Sequence, residues 1–494
     1  MKPKAVIIGA GLGGLTTALR LSQKGYAVEI LEKYKQPGGR MNQLKKDGFT
    51  FDLAPTFFSM SYVFHEFAKE CNIHFPCEFV ELDPLYSVHF RGDQKKYQIY
   101  KDISRLAGQF KALEPDFERK MNLYLENAGV LFHDVENRII QKNFNSLTDF
   151  LLKVTGVPVK HIPRLFRNMW KELGRYFTSY EVKVIFSLIA FFLGSTPFDT
   201  SAIYSILNYT ELKHDGYYNV KGGMYKIIEN LEKECIKRGV LIHYGVEIVD
   251  FKANTSVNHR LIDKNGKAWQ GDVFVVNADA ASFRGEVFKR GKYRQQRLDN
   301  MKWTLAPFTM YLGINGKISN IDHHNYFLGR DFEDYANKIF TNQANLEEPY
   351  YYVNVNSKFN PESAPEGCEN LFILCPVADL RYKNAWEDRE QLAETIISDL
   401  GNRVNYDLKE NLITKVILDP ADWEKMFNLY KGSGLGLAHN FRQIGAFRPA
   451  NKDEVFKNVF YVGASTVPGT GLPMVVISSK LVTERIENEF GIVS

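Results

Sequence analysis

The chain has 494 residues, of which 45% are hydrophobic, 14% aromatic and 24% charged, with a formal net charge of +4. This length predicts two or three domains, and so small a net charge gives no support for a nucleic-acid partner. The five cysteines show no Cys-x-x-Cys spacing, which argues against a disulfide scaffold or zinc site and favours a reducing cytosol.

The first predicted elements form a strand–turn–helix–strand unit. An apolar strand at residues 4–8 precedes a helix, and a second strand at residues 27–31 follows it. The turn and the end of the second strand carry Gly9, Gly11, Gly14 and Glu32. In this context the glycines predict a dinucleotide site: they allow a tight turn, a close approach to pyrophosphate, and helix–strand packing. The helix N-terminus would face the phosphates and Glu32 the ribose hydroxyls, with a packing role alone as the alternative. A fold that starts at residue 4 leaves no room for a signal peptide.

A second glycine cluster, Gly38-Gly39-Arg40, follows Glu32 closely. Here the sequence resembles the FAD proteins that include amine oxidases and carotenoid desaturases, whose opening signature ends in Glu, a short spacer and Gly-Gly-Arg. The resemblance implies non-covalent FAD rather than NAD. The cofactor-binding residues that it implies in this part of the chain are Gly9, Gly11, Leu12, Gly13, Gly14, Glu32, Lys33, Gly39 and Arg40.

Nucleotide-binding signals recur in two later stretches. Strands are predicted at residues 240–243, 273–276 and 459–462, and a glycine turn and helix follow the last. The predicted fold is α/β: a Rossmann-type FAD-binding domain, like that of amine oxidases and phytoene desaturases, interrupted by a mixed α+β substrate domain. The FAD-binding parts are residues 1–75, 215–295 and 431–494, and the substrate parts are residues 76–214 and 296–430.

The first substrate part carries the signals for membrane contact. The longest apolar run, residues 184–193, is half the roughly 20 residues that a spanning helix needs, so the chain is expected to be soluble or to bind a membrane face. Basic residues recur every three or four positions and predict one helical face: Lys160, Arg164, Arg167, Lys171 and Arg175. Residues 160–193 thus predict peripheral attachment to an anionic membrane, with an ordinary solvated helix as the alternative.

Other candidate sites receive little support. His323 and His324 are adjacent and lack a third ligand with metal-site spacing, so no metal is expected. No Gly-x-Ser-x-Gly elbow supports hydrolysis. The cluster Gly432-Ser-Gly434-Leu-Gly436 lacks the final glycine and the acid of a second dinucleotide site. Without an NAD(P)H site, reduced flavin would pass its electrons to oxygen or a membrane quinone.

Residues 458–473 carry the most specific motif after the fingerprint. They resemble the ending of carotenoid (phytoene-type) desaturases, Gly-Ala-x-Thr-His-Pro-Gly-x-Gly-x-Pro, with Val467 in place of the histidine. In that family this segment runs beside the isoalloxazine ring, which implies that Gly463, Pro473 and Met474 bind the cofactor. Further family landmarks are residues 51–56 with Ala54 for Gly, residues 217–224, His323-His324-Asn325, and Gln443-x-x-x-Phe447-Arg448-Pro449.

The resemblance implies an FAD-dependent carotenoid desaturase. The His-His-Asn triplet and residues 471–474 look closest to the subgroup that desaturates carbons 3 and 4 of 1-hydroxylated acyclic ends. Removal of a hydride from a carbon beside a polyene leaves a delocalised cation. The protein then needs only to position the substrate and exclude water, and the sequence indicates no catalytic base. The alternatives are a phytoene- or neurosporene-type desaturase, a carotene isomerase or saturase, and a non-catalytic isoprenoid carrier; the ring-side motif argues against a carrier. The expected location is cytoplasmic, peripheral on the inner face of the cell membrane.

Overall fold

The computed structural model describes residues 2–75, 77–253 and 259–491. Its strands, in chain order, are β1 (Lys4–Ile8), β2 (Ala27–Glu32), β3 (Gln43–Lys46), β4 (Phe49–Asp52), β5 (Phe58–Ser59), β6 (Phe79–Glu81), β7 (Tyr86–Phe90), β8 (Lys96–Ile99), β9 (Tyr217–Val220), β10 (Leu241–Tyr244), β11 (Ile248–Ala253), β12 (His259–Asp263), β13 (Ala268–Trp269), β14 (Val273–Val276), β15 (Ala306–Asn315), β16 (His324–Leu328), β17 (Tyr351–Asn354), β18 (Cys368–Val377), β19 (Leu412–Leu418) and β20 (Val459–Tyr461). Its α-helices are α1 (Leu12–Gln23), α2 (Ser61–Glu70), α3 (Ile103–Phe110), α4 (Phe117–Val135), α5 (Leu147–Thr155), α6 (Ile162–Phe166), α7 (Met169–Leu173), α8 (Tyr180–Ser187), α9 (Ile189–Phe192), α10 (Ile206–Tyr209), α11 (Tyr225–Lys237), α12 (Ala280–Ser282), α13 (Gln295–Asp299), α14 (Phe332–Lys338), α15 (Arg389–Val404), α16 (Pro420–Phe427) and α17 (Leu472–Phe490).

A parallel sheet with strand order β10-β2-β1-β14-β20 forms the nucleotide-binding core. Ile8 at the end of β1 lies beside Leu31 of β2 and Val276 of β14, so the carboxyl ends of these strands meet at one edge. Helices α1, α11 and α17 cover one face, and the small sheet β11-β12-β13 packs on the other. Because both faces are covered, β1 is a continuous apolar run. The predicted α/β fold is confirmed.

The second large sheet is mainly antiparallel, with order β19-β15-β18-β17-β16-β7-β8. Successive side chains of a strand point to opposite faces, which gives the tyrosines of β17 different surroundings. Val353 and Tyr351 pack in the cluster with α15, whereas Tyr352 packs in the aromatic cluster on the other face. That other face forms part of the wall of the cavity described below. The boundaries of the domains stay a prediction.

The prediction of a basic helical face at residues 160–175 is wrong. Helix α6 ends at Phe166, and Arg167 is extended (φ −95°, ψ 141°), so the basic residues do not share one helix. Arg164 is buried and donates to the buried carboxylate of Glu172 at 3.1 Å, and Arg167 pairs with the same carboxylate. Sequence spacing could not reveal this counter-ion, which removes much of the positive charge from the surface.

The apolar run at residues 184–193 also differs from the prediction. Val184, Ile185 and Phe186 are fully buried in the aromatic cluster beneath the second sheet, so this run is core and not membrane-facing surface. Among the helices that the structure describes, none combines the length and apolar character needed to cross a membrane.

Candidate active site

The fingerprint turn is shaped by close backbone packing. A Cβ on Gly14 would lie 2.1 Å from the carbonyl oxygen of Gly9, so only glycine lets α1 pack against the turn. Gly9 itself has a φ of +96°. Gly11 is the N-cap of α1, with no capping side chain and no acidic residue in the first turn. The first N–H groups of the helix are thus available to an anion such as a pyrophosphate.

Glu32 lies at the end of β2 and is buried. Its carboxylate accepts hydrogen bonds from the backbone N–H of Ala10 at 2.7 Å and of Tyr34 at 2.9 Å. Burial raises the pKa of Glu32, and these two hydrogen bonds act in the opposite direction. A carboxylate has about four acceptor positions, so these bonds orient Glu32 and leave capacity for ribose hydroxyls.

The C-terminal segment packs directly against the fingerprint. A Cβ on Gly13 would lie 3.2 Å from Val475 and 3.4 Å from Val462. Asn277, which follows β14, donates to the carbonyl of Gly9 at 3.3 Å and sits against Gly13. Sequence reasoning missed Asn277, although its position just after a buried strand places it at the carboxyl edge of the sheet, where such folds bind ligands.

Arg40 is held in the site by a hydrogen bond and by a nearby carboxylate. Its guanidinium donates to the carbonyl of Gly434 at 3.0 Å. Burial lowers its pKa, which the nearby carboxylate of Asp279 partly restores. Asp279 in turn accepts from the hydroxyl of Ser465 at 2.9 Å, and its own pKa is raised by burial. Asp279 is therefore a charged residue of the site that the motifs did not indicate.

A single cavity of about 1140 Å³ runs along these groups. The predicted cofactor residues that line it are Gly9, Gly11, Leu12, Gly13, Glu32, Lys33, Gly39, Arg40, Gly463, Pro473 and Met474. Gly14 is not part of the wall and lies behind it, where it packs on Gly9. The glycine cradle, the open helix N-terminus and the buried acid fit the pyrophosphate and ribose of FAD. Contact of each residue with FAD stays a prediction.

An aromatic cage forms part of the cavity wall. The ring of Phe57 lies 4.5 Å from that of Phe192, 4.9 Å from that of Tyr217 and 5.2 Å from that of Tyr352, measured between centroids. Tyr326 completes the cage. These side chains come from five separate stretches of the chain and give this part of the cavity a largely apolar surface suited to a hydrocarbon.

Polar groups stand at the edge of this cage. The hydroxyl of Tyr352 lies 2.8 Å from Oγ1 of Thr56 and 2.5 Å from Nδ1 of His324. Burial lowers the pKa of His324 well below its usual range, so the ring is neutral. Nε2 of His324 and the hydroxyl of Tyr326 are buried without a hydrogen-bond partner within the described structure. Of the two residues only Tyr326 lines the cavity, so a ligand that brings an oxygen atom there would satisfy its hydroxyl.

Glu211 is a buried carboxyl group behind the cage. Burial raises its pKa to about 8, although neighbouring side chains, Tyr217 among them, favour the ionised form. One of its oxygens also lacks a partner within the described residues. At neutral pH it is mostly protonated and can both donate and accept a hydrogen bond.

The two histidines do not form a metal site. His323 directs Nδ1 to the carbonyl of Val355 at 2.9 Å, and burial lowers its pKa to about 4. Within the described residues no group of three His, Cys, Asp or Glu side chains is placed to hold a metal ion.

Asp52 explains why two of the family landmarks occur together. Its carboxylate accepts from the backbone N–H groups of Met224 at 2.9 Å and Tyr225 at 3.1 Å, at the start of α11. Burial raises its pKa to about 6. The landmark at residues 51–56 thus fixes the one at residues 217–224, and both border the cavity.

The turn at residues 467–471 does receive a histidine, from another segment. Val467 replaces the family's histidine, but Nε2 of His439 accepts from the backbone N–H of Thr470 at 3.2 Å. His439 lines the cavity, and its Nδ1 is buried without a partner in the described structure. Burial, followed by the charge of Arg448, lowers its pKa well below the usual range. Nothing in the spacing of the sequence links residue 439 to this turn.

The cavity reaches the surface at α5 and α6. Leu151, Val159 and Ile162 line it and are also exposed, by 51%, 77% and 48%. Leu152 and Phe166 nearby are exposed by 67% and 76%. Exposed apolar side chains gathered at an opening mark a surface that contacts something apolar.

Known proteins share this fold and sequence. The chain matches the flavin containing amine oxidoreductase family over residues 12–486. It is 31% identical to a zeta-carotene-forming phytoene desaturase of Myxococcus xanthus, over 98% of this chain and 93% of the relative. It is 28% identical to a carotenoid 3,4-desaturase of Haloarcula japonica, over 97% of both chains.

Solved structures share the fold at lower identity. An oxidoreductase from Methanosarcina mazei has a TM-score of 0.61 at 17% identity, covering 97% of this chain and all of that one. A putrescine oxidase bound to putrescine has a TM-score of 0.64 at 12% identity, covering 99% of both chains. With these matches and the FAD-compatible cavity, the chain belongs to the carotenoid desaturases of the flavin containing amine oxidoreductase family.

Proposed function

We propose that this FAD-dependent carotenoid desaturase forms the 3,4 double bond at a 1-hydroxylated acyclic carotenoid end. The observation that carries the proposal is the aromatic cage with unsatisfied polar groups at its edge. Carbon 1 lies two bonds from carbon 3, so its hydroxyl would enter the cage when carbons 3 and 4 lie against the flavin. The hydroxyl of Tyr326, which lines the cavity, would then gain the partner that it lacks.

The residues of the chain position the substrate and exclude water from it. FAD held by the fingerprint and Glu32 would supply the hydride acceptor, and the proton of the neighbouring carbon would go to solvent or a weak base. The rings of Phe57, Tyr217 and Tyr352 hold the polyene end and present aromatic faces to its positive charge. Water is kept from the reacting carbons by the same side chains.

The selectivity test compares carotenoids with and without the 1-hydroxyl. Wild-type protein loaded with FAD should convert the hydroxylated substrate faster, to a product two mass units lighter. Tyr326→Phe should lower that preference by about tenfold, the effect of one lost hydrogen bond. Tyr311→Phe is the matched control, since Tyr311 is a buried tyrosine of the second sheet that donates to Leu53 and lies outside the cavity wall.

A phytoene-type desaturation is the second candidate. It is favoured by the relative from Myxococcus xanthus and by a phytoene desaturase of Fusarium fujikuroi, 28% identical over 99% of this chain. Faster turnover of phytoene than of hydroxylated substrate would replace the 3,4-specific proposal with this one. A product of unchanged mass would instead indicate an isomerase.

Attachment to a membrane surface is part of the proposal, with the contact moved from the predicted segment to the mouth of the cavity. The apolar residues exposed there, Leu152 and Val159 foremost, would enter the lipid, and the polyene would pass directly into the cavity. The proposed location is the inner face of the cell membrane, and the proposed electron acceptor is oxygen or a membrane quinone.

The membrane contact is tested by sedimentation with anionic liposomes. The double variant Leu152→Asp and Val159→Asp should bind at least tenfold more weakly than wild-type protein, because two apolar anchors are replaced by charges. The matched control is Ile236→Asp, an exposed apolar residue on α11 that does not line the cavity. Equal binding by all three proteins would exclude this surface.

A further inference from the structure

Arg448 belongs to the family landmark Gln443-x-x-x-Phe447-Arg448-Pro449 and does not line the cavity. It is 2% exposed, and among the residues that the structure describes its guanidinium donates only to backbone carbonyls. The acceptors are Ala464 at 2.7 Å, Thr466 at 3.0 Å, Gln443 at 3.3 Å and Leu437 at 3.4 Å. Two of these carbonyls belong to the segment at residues 463–474 that lines the cavity, so Arg448 supports that segment from behind.

The charge of Arg448 is not neutralised by direct contact. Within the described part of the chain no carboxylate pairs with it, and Asp279 acts on it only through space. Burial lowers its pKa to about 10, so it remains charged at neutral pH. The buried Arg284, by contrast, pairs with Glu454 at 3.1 Å. A buried cation without a counter-ion is strongly destabilised, and a group that gains negative charge nearby would relieve this.

The flavin ring is the group that this charge would face. Gly11 and Gly13 of the fingerprint are predicted to hold the pyrophosphate, and Glu32 the adenosine ribose. In that arrangement the other half of FAD would extend along the cavity past Gly463, which lines it. This path runs along the carbonyl-bearing segment that Arg448 supports. The neighbouring His439 is neutral and does not compensate the charge.

We propose that Arg448 sets the reduction potential of bound FAD, by stabilising the negative charge that the ring gains on reduction. In desaturation the substrate gives one hydride to the ring and one proton to solvent. Hydride transfer would bring two electrons and one proton, so the bound cofactor would carry one more negative charge until the acceptor removes the electrons. A positive charge at this place favours the reduced form. The proposal rests on FAD binding by the family and is independent of the carotenoid.

The experiment measures the midpoint potential of the bound flavin and its affinity for sulfite, which adds to electron-poor flavins, in FAD-loaded protein without carotenoid. Arg448→Gln should have a more negative potential and a sulfite dissociation constant raised about tenfold. Arg448→Lys keeps the charge and should lie between this variant and wild-type protein. An unchanged potential and sulfite affinity in flavin-loaded Arg448→Gln would overturn the proposal.

Two further variants separate charge from structural support. Arg485→Gln removes another buried arginine, which makes no ion pair within the described structure and lies about 20 Å along α17 from its start; it should leave both readouts unchanged. Asp279→Asn removes the opposing negative charge and should shift the potential upward. If Arg448→Gln does not retain FAD, Arg448→Lys decides: a potential equal to or less negative than that of wild-type protein overturns the proposal. Because no carotenoid is present, the result does not depend on which substrate the enzyme uses.

Discussion

The nucleotide-binding sheet and the aromatic cage prepare for their ligands in different ways. Around the fingerprint the decisive groups are backbone atoms and glycines, with carboxylates such as Glu32 held by backbone N–H groups. In the cage they are side chains from five separate stretches, held against one another by ring contacts. The first region tolerates almost no added atom, whereas the second can exchange one ring or hydroxyl for another. The fingerprint should therefore fix the cofactor, and the cage should set the substrate.

Gly14→Ala should have the largest effect on the nucleotide-binding region. The added Cβ would meet the carbonyl of Gly9 at 2.1 Å, and backbone atoms cannot move away cheaply. We expect a loss of about 3 kcal/mol in unfolding free energy or more, together with the bound FAD. Gly108→Ala, in helix α3 with open space around it, should instead stabilise the protein by about 0.5–1 kcal/mol. Denaturant unfolding measures both; a mild effect of Gly14→Ala would show that the turn can relax.

The pH dependence of stability tests the contact that Asp52 makes between residues 51–56 and the start of α11. The pKa of Asp52 is raised from 3.8 to about 6, so the native state binds this proton more tightly than the unfolded state. The stability that it contributes is therefore present below pH 4 and is lost as the pH rises through 6. Relative to Asp52→Asn, wild-type protein should lose at most about 3 kcal/mol between pH 4 and pH 7. Unfolding curves across this range give the comparison, and parallel profiles for the two proteins would contradict it.

The sequence allowed much of the nucleotide side to be predicted, because its motifs are local. Strand β1, the glycine turn and Glu32 follow one another within about thirty residues, so spacing alone places them. Asn277 and Asp279 were missed because they reach the turn only through the pairing of β1 with β14. His439 and the cage depend on contacts between segments far apart in the chain. The basic face at residues 160–175 failed for a related reason, since the buried Glu172 is invisible to periodicity.

Glu32→Ala tests how the nucleotide-binding region holds the cofactor. The carboxylate, oriented by the N–H groups of Ala10 and Tyr34, is the predicted acceptor for both ribose hydroxyls. Its loss should weaken FAD binding by on the order of 1–3 kcal/mol, because hydrogen bonds to a charged acceptor disappear. Glu32→Gln, which keeps one oxygen acceptor, should fall between. The measurement is flavin occupancy after purification, followed by titration of the apoprotein; full occupancy and unchanged affinity in Glu32→Ala would show that Glu32 does not hold the ribose.

Tyr352→Phe should have the smallest effect, and it tests the function of the polar groups at the edge of the cage. The change removes the hydroxyl that lies against Thr56 and His324, which should lower unfolding free energy by about 1 kcal/mol. Tyr311→Phe, which removes the hydroxyl bonded to Leu53, should lower it by a similar amount. Stability thus cannot separate the two variants, but substrate preference can. If the polar edge binds the substrate hydroxyl, only Tyr352→Phe reduces kcat/KM for hydroxylated relative to non-hydroxylated carotenoid, because Thr56 and His324 lose their alignment there. Equal ratios in both variants would mean that these hydrogen bonds serve the packing of the cage and that the substrate hydroxyl is bound elsewhere.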